Sequence, residues 1–146
     1  MRLNPLVCGT EFPPVTEAAS WVANRTFDES FPLIDVSQAV PGYPTSKPIL
    51  QHMASVLLDA PTSKYGHVLG LPDLRQAYAT ELNSPHVSSK NVAITAGCNQ
   101  AFYVAVAAVC EPGDEVMLPT PWYFNHKMSL DMLGIKTLPL LSLIHI

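Results

Sequence analysis

The sequence is poor in charge, and its basic residues form no pattern that would attract a nucleic acid. Only 14% of its 146 residues are charged, the formal net charge is -4, and the eight Lys and Arg residues are scattered. A basic stripe would be needed to bind a phosphate backbone, so nucleic-acid binding has little support. No apolar run approaches the roughly 18 residues of a membrane span. The first residues also lack the apolar stretch of a secretory signal.

Cysteine is scarce as well, and its spacing excludes two common uses. Cys8, Cys98 and Cys110 are odd in number and far apart. They fit neither a zinc site nor a disulfide framework, so we predict a reduced, cytoplasmic protein without a metal. Apolar residues, by contrast, make up 48% of the chain. That share, at this length, predicts a packed domain.

The proline-rich first third predicts an extended arm. Prolines recur up to residue 48, and the only helical pattern in this part of the chain is at about residues 15–27. Such an arm has too little core of its own, so we expect it to lie on a larger body. Helical spacing then predicts helices from residue 48 to about 60 and from residue 72 to about 83.

The second half alternates between strand and helix patterns. Strands are predicted at residues 91–95, 115–118 and 135–138, with helices at 100–110 and 122–133. This alternation predicts a parallel sheet with helices on its faces. The helix at 100–110 is almost wholly apolar, which predicts burial on most sides. Gly134 is a suitable left-handed residue after the last helix.

The turn at residues 95–100 is the most informative segment. A strand runs into Gly97, and a helix opens directly after it. The first amides of a helix have no intrahelical partners and lie at the positive end of its dipole, so they suit an anion, above all a phosphate. The turn alone would also fit any α/β protein. Its sequence matches neither the dinucleotide nor the nucleoside-triphosphate glycine pattern.

A loop with two aromatic residues follows the next strand. Ligands of parallel sheets gather beyond the carboxyl ends of the strands, where this loop and the Gly97 turn both lie. A ring from Trp122 or Tyr123 could therefore lie flat on a planar heterocycle whose phosphate sits at the turn. The alternative is that the two rings pack in the core, which we expect for one of them.

Five motifs in a fixed order resemble the class I/II aminotransferases, which have pyridoxal-phosphate (PLP) fold type I. In chain order they are residues 39–44 (AVPGYP), 65–75 (YGHVLGLPDLR), 94–101 (ITAGCNQA), 112–116 (PGDEV) and 121–123 (PWY). The resemblance implies a partial fold type I α/β structure. Its expected parts are an N-terminal arm or small-domain segment (1–47) and the first part of the mostly parallel PLP-binding large domain (48–140).

The resemblance also implies how the cofactor, pyridoxal 5'-phosphate, is held. The backbone amides of Gly97, Cys98 and Asn99 would bind its phosphate. Trp122 would stack on its pyridine ring, with Tyr123 as the second choice because the family alignment allows a shift of one residue.

Other roles implied by the resemblance concern the subunit contact and the substrate. Tyr65 would bond the phosphate of the neighbouring subunit's cofactor in a homodimer, or else pack as a loop tyrosine. Gly42 would approach the carboxylate of an amino acid or 2-oxo acid substrate through its amide. Arg75 is expected to be structural, and His67 and His126 to be ordinary polar residues.

The resemblance implies a Schiff-base lysine, and none of the five lysines stands in the family context for it. We therefore expect an N-terminal fragment of an aminotransferase, inactive by itself. The alternatives are a non-catalytic aminotransferase-like module of a PLP-responsive regulator, or another fold type I lyase. Residues 141–146 resemble the translation of a sequencing-adaptor end, so we expect a non-native tail, with a genuine short chain as the alternative.

Overall fold

The computed structural model describes residues 2–141. Residues 142–146, which hold most of the predicted non-native tail, lie outside the described residues. The chain forms two compact units, one of residues 38–94 and the other of residues up to 37 together with those from 95 onward. This division differs from the expected boundary between residues 47 and 48, and the assignment of those segments to family domains stays a prediction.

Helices provide most of the regular structure. The α-helices are α1 (Pro5–Cys8), α2 (Pro14–Val22), α3 (Lys47–Val56), α4 (Pro72–Leu82), α5 (Cys98–Val109) and α6 (Phe124–Met132). The strands are β1 (Glu115–Thr120) and β2 (Lys136–Leu141), and 3-10 turns lie at Ala60–Ser63 and Ser89–Asn91.

In the unit of residues 38–94, α3 and α4 confirm the two predicted helices. Each has a proline in its first turn, where the missing N–H is not needed. Arg75 then joins α4 to a distant segment, because its Nε donates to the Val92 carbonyl (2.8 Å) and its Nη2 to that of Ser89 (2.6 Å). Arg75 therefore has the structural role that the sequence predicted.

The turn before α4 requires glycine at position 70. Gly70 has a φ of +95°, and a Cβ there would lie 2.6 Å from the Cβ of Ile94. The two segments are held this close by the Ile94 amide, which donates to the Leu69 carbonyl (2.9 Å). No side chain fits between them.

The strand predicted at residues 91–95 is wrong. Asn91 ends a 3-10 turn, and the residues after it are extended without forming a ladder. An extended backbone becomes a strand only with a partner strand, and among residues 2–141 the bond from the Ile94 amide is the only backbone hydrogen bond that joins this segment to a distant one.

The second unit contains the parallel pair that the sequence predicted. β1 and β2 lie in register from Glu115 opposite Lys136 to Thr120 opposite Leu141, with α6 as the crossover. The core beneath them is formed by Val106, Leu118, Leu130 and Ile135. Gly134 follows α6 with a φ of +71°, as predicted, and its carbonyl accepts the Gly113 amide at 2.8 Å. That bond joins the end of α6 to the turn before β1.

The prediction that the helix now labelled α5 is buried on most sides is wrong. Val106 is its only buried residue, and the side chain of Val109 is 81% exposed. One side of α5 packs on α6 and the core. Within residues 2–141 no element covers its other apolar sides, so a composition typical of a buried helix is left largely open.

The first part of the N-terminal arm, residues 2–37, belongs to this second unit. Leu6 in α1 covers Gly134 so closely that a Cβ there would come within 3.2 Å of it. Helix α2 ends at Val22, earlier than the predicted residue 27.

Two aspartate turns order the segment that follows α2. Asp28 accepts the Ser30 hydroxyl and the amides of Ser30 and Phe31, and Asp35 accepts the hydroxyl and amide of Ser37. These bonds, the hydroxyl first, lower the pKa of both carboxyls. A lowered pKa stabilises the turns above the ordinary aspartate range, and this contribution is lost as the pH falls through the lowered pKa values.

Candidate active site

The backbone of the predicted site at Gly97 is ordered by hydrogen bonds within residues 95–100. Gly97 is the N-cap of α5, with φ +86° and ψ 170°, a backbone region that is essentially restricted to glycine. Thr95 Oγ1 donates to the Gly97 carbonyl (2.9 Å), and the Ala96 amide donates to Gln100 Oε1 (2.6 Å). The space where a Cβ of Gly97 would stand has no atom within 4 Å. A ligand can therefore approach the backbone closely.

Three amides at the start of α5 are free to bind an anion. Those of Cys98, Asn99 and Gln100 donate to no acceptor among residues 2–141, and these residues are exposed. The Gly97 amide, in contrast, donates to the Thr95 carbonyl (2.8 Å). The free set therefore contains Cys98 and Asn99 of the predicted set and adds Gln100. The Gln100 amide belongs to the first turn of α5, where amides have no intrahelical acceptor. The sequence could have predicted it, because the first three residues after an N-cap at Gly97 are Cys98, Asn99 and Gln100.

Tyr123 lies on the side of α6 that faces α5. Phe102 of α5 stacks on His126 with 4.0 Å between ring centroids, and Tyr123 meets His126 edge-on at 5.3 Å. The Tyr123 hydroxyl also accepts a hydrogen bond from Asn125 Nδ2 (2.7 Å). His126, expected to be an ordinary polar residue, is thus part of an aromatic cluster with Phe102 and Tyr123.

Trp122 has different neighbours. It borders a cavity of about 500 Å³ together with Glu11 and Phe12 of the arm. The lining also includes Lys127 and Asp131, which form an ion pair at 2.6 Å. The indole is 37% exposed. The two adjacent aromatic residues therefore have different surroundings, since Trp122 borders a cavity with the arm and Tyr123 contacts His126, which stacks on Phe102 of α5.

The remaining predicted site residues lie in the other unit. Tyr65 is fully exposed, and Gly42 has open space around its α-carbon. Their roles at the subunit contact and the substrate stay predictions. His67 accepts the Leu69 amide at 3.1 Å, a local bond that fits the ordinary role expected of it.

Residues 2–141 contain neither a cluster of metal-binding side chains nor a helix suited to span a membrane. Over that range no group of His, Cys, Asp and Glu is arranged to hold a metal ion. The helices that the structure describes there are too short or too polar to cross a bilayer.

Comparison with curated proteins gives a consistent set of relatives. The chain is 32% identical to the aromatic aminotransferase ISS1 of Arabidopsis thaliana over 131 residues, which is 89% of this chain and 32% of that protein. It is 31% identical to the aspartate aminotransferase of Streptomyces avermitilis over 106 residues, 70% of this chain and 26% of that protein. The chain thus spans between about a quarter and a third of the length of the curated relatives that it matches.

Solved structures support the same fold. An aminotransferase from Mycobacterium tuberculosis matches 97% of this chain with 37% of its own, at 26% identity and a TM-score of 0.79. The aspartate aminotransferase of Thermus thermophilus with maleate matches 99% of this chain with 38% of its own, at 22% identity and a TM-score of 0.82. These matches confirm the predicted fold class, a partial α/β structure of PLP fold type I.

The family model "Aminotransferase class I and II" matches residues 29–141, most of the chain. Enzymes of this family depend on pyridoxal 5'-phosphate. The chain belongs to the class I and II aminotransferase family.

Proposed function

We propose that this chain is the cofactor-anchoring part of a PLP-dependent aminotransferase, which moves an amino group between an amino acid and a 2-oxo acid. The observation that carries the proposal is the group of three free amides at the start of α5, behind Gly97. Because the chain spans only a quarter to a third of the length of its relatives, we assign catalysis and substrate choice to a full-length enzyme and not to this chain alone.

The residues at the turn fit the phosphate of the cofactor. A phosphate offers several strong acceptors and negative charge, and the amides of Cys98, Asn99 and Gln100 offer donors at the positive end of a 12-residue helix. The bound cofactor would supply a ring that accepts electrons during amino transfer. The role of this part of the chain is to bind the phosphate and to orient that ring.

For the ring we propose Tyr123 as the stacking residue in preference to Trp122, the first choice from the sequence. Tyr123 contacts His126, and His126 stacks on Phe102, which lies two residues after the last free amide of α5. Trp122 shares its cavity with the arm. These contacts support the one-residue shift.

Substituting the two aromatic residues separately tests this choice. Pyridoxine 5'-phosphate is a suitable probe because, lacking the aldehyde, it forms no covalent bond with lysine. We expect Tyr123→Ala to lower its affinity about 3- to 10-fold, the size of an aromatic stacking interaction. Trp122→Ala, the matched control, should change it less than about 2-fold. Equilibrium dialysis gives both values, and the opposite order would restore Trp122 to the cofactor.

We further propose that the 146-residue chain by itself catalyses no amino transfer. Support comes from its five lysines, none of which stands in the family context for the lysine that bonds the cofactor. The chain should give no turnover with PLP, an amino acid and a 2-oxo acid beyond that of free PLP. Borohydride treatment followed by peptide mapping should find no single lysine modified stoichiometrically. Turnover accompanied by one such lysine would contradict the proposal.

The family resemblance also supports a cytoplasmic homodimer as the parent protein, with Tyr65 reaching the cofactor of the neighbouring subunit and Gly42 near the substrate carboxylate. Free thiols at Cys8, Cys98 and Cys110 are consistent with a reducing compartment. The aminotransferase names of the relatives favour amino transfer over a lyase or a regulator.

A further inference from the structure

We infer that Asn125 is a positioning residue, which fixes the orientation of the Tyr123 ring through the phenol hydroxyl. The inference rests on the proposed function in one respect, namely that Tyr123 is the ring facing the cofactor. Its direct basis is the 2.7 Å hydrogen bond from Asn125 Nδ2 to the Tyr123 hydroxyl.

Tyr123 needs such a restraint because packing holds it weakly. It is the N-cap of α6 and is 45% exposed, so its ring has solvent on much of its surface. Its ring contacts are a tilted one with Phe124, at 4.9 Å between centroids, and an edge-on one with His126 at 5.3 Å. A hydrogen bond at the far end of the side chain, combined with these two contacts, fixes both side-chain torsions.

Asn125 is itself well held. It lies in the first turn of α6 and is partly buried, and its carbonyl accepts the Ser129 hydroxyl at 2.8 Å. Ser129 is buried at 6% exposure. The side-chain amide of Asn125 is therefore attached to an ordered part of α6, and its hydrogen bond to Tyr123 is present without a ligand. A ring ordered in advance loses less conformational freedom when a ligand binds, which raises affinity without a new contact to the ligand.

A double-mutant cycle separates positioning from a general structural effect. Tyr123→Phe keeps the ring and removes the hydroxyl, and Asn125→Ala removes the donor. We expect each to lower the affinity for pyridoxine 5'-phosphate about 2- to 5-fold, the scale of one ordered side chain. The double variant should lose no more than either single one. Equal losses for Asn125→Ala in the Tyr and Phe backgrounds, or no loss at all, would overturn the inference.

A second readout needs no cofactor. In a chain with ¹³C-labelled tyrosine, the Cζ signal of Tyr123 is identified by its disappearance in Tyr123→Phe. Asn125→Ala should shift that signal while leaving the other tyrosines unchanged, and an unshifted signal would overturn the inference. If the 146-residue chain without substitutions binds no pyridoxine 5'-phosphate, the proposed function fails for this chain. The Cζ shift still decides the role of Asn125.

Discussion

Replacing Gly97 with alanine is expected to lower the affinity for pyridoxine 5'-phosphate about 5- to 150-fold, because such backbone strain is worth about 1–3 kcal/mol. Gly97 holds φ +86° and ψ 170°, which an L-residue with a Cβ adopts only under strain. Alanine would relax the turn and move the amides of Cys98 and Asn99 out of alignment. No clash contributes, since no atom lies within 4 Å of the added Cβ.

Gly113→Ala is the matched control for this substitution. Gly113 has a φ of +99°, also with open space at its Cβ, and it lies before β1 in the same unit. We expect it to lower the free energy of unfolding by about 1–2 kcal/mol while leaving the affinity unchanged. An equal loss of affinity in both variants would mean that binding reports only the stability of the unit. Normal binding by Gly97→Ala would place the phosphate elsewhere.

Replacing Leu130 with alanine is expected to cost about 2–5 kcal/mol of unfolding free energy, the range for large-to-small changes in a core. Leu130 is 0% exposed, and it packs in one cluster with Val106 of α5, Leu118 of β1 and Ile135 just before β2. That core is small, so a cavity at Leu130 removes a large share of the buried apolar contacts that stabilise the unit. Chemical denaturation followed by circular dichroism gives the difference.

Leu141→Ala removes the same atoms from a position that is 74% exposed. We expect that control to change the unfolding free energy by no more than about 0.5 kcal/mol. If the two leucine variants were equally stable, the cluster around Leu130 would not be the core of this unit.

The backbone geometry of the Gly97 turn could be predicted because its signals are local. A glycine and a helix start both lie within residues 95–100, and the orphan amides follow from the way a helix begins. The same holds for Gly134, whose left-handed conformation ends α6 as expected.

The errors concern features that depend on distant contacts. Residues 91–95 have strand propensity, but a strand also needs a neighbouring strand, and among residues 2–141 only the Ile94 amide makes a backbone hydrogen bond to a distant segment, at the Leu69 carbonyl. The apolar composition of α5 predicts burial, yet burial depends on the elements around the helix. The surroundings of Trp122 and Tyr123 depend on the position of the arm and on the stacking of His126 on Phe102. No periodicity in the sequence contains that information.

The central claim is that the amides at the start of α5 bind the phosphate of a pyridoxal-type cofactor. Amide-resolved NMR of the ¹⁵N-labelled chain, titrated with pyridoxine 5'-phosphate and separately with pyridoxine, tests it directly. We predict that the signals of Cys98, Asn99 and Gln100 shift with the phosphate ester and stay in place with pyridoxine, which lacks the phosphate. Binding of the ester with those three signals unmoved, or equal shifts with both compounds, would contradict it.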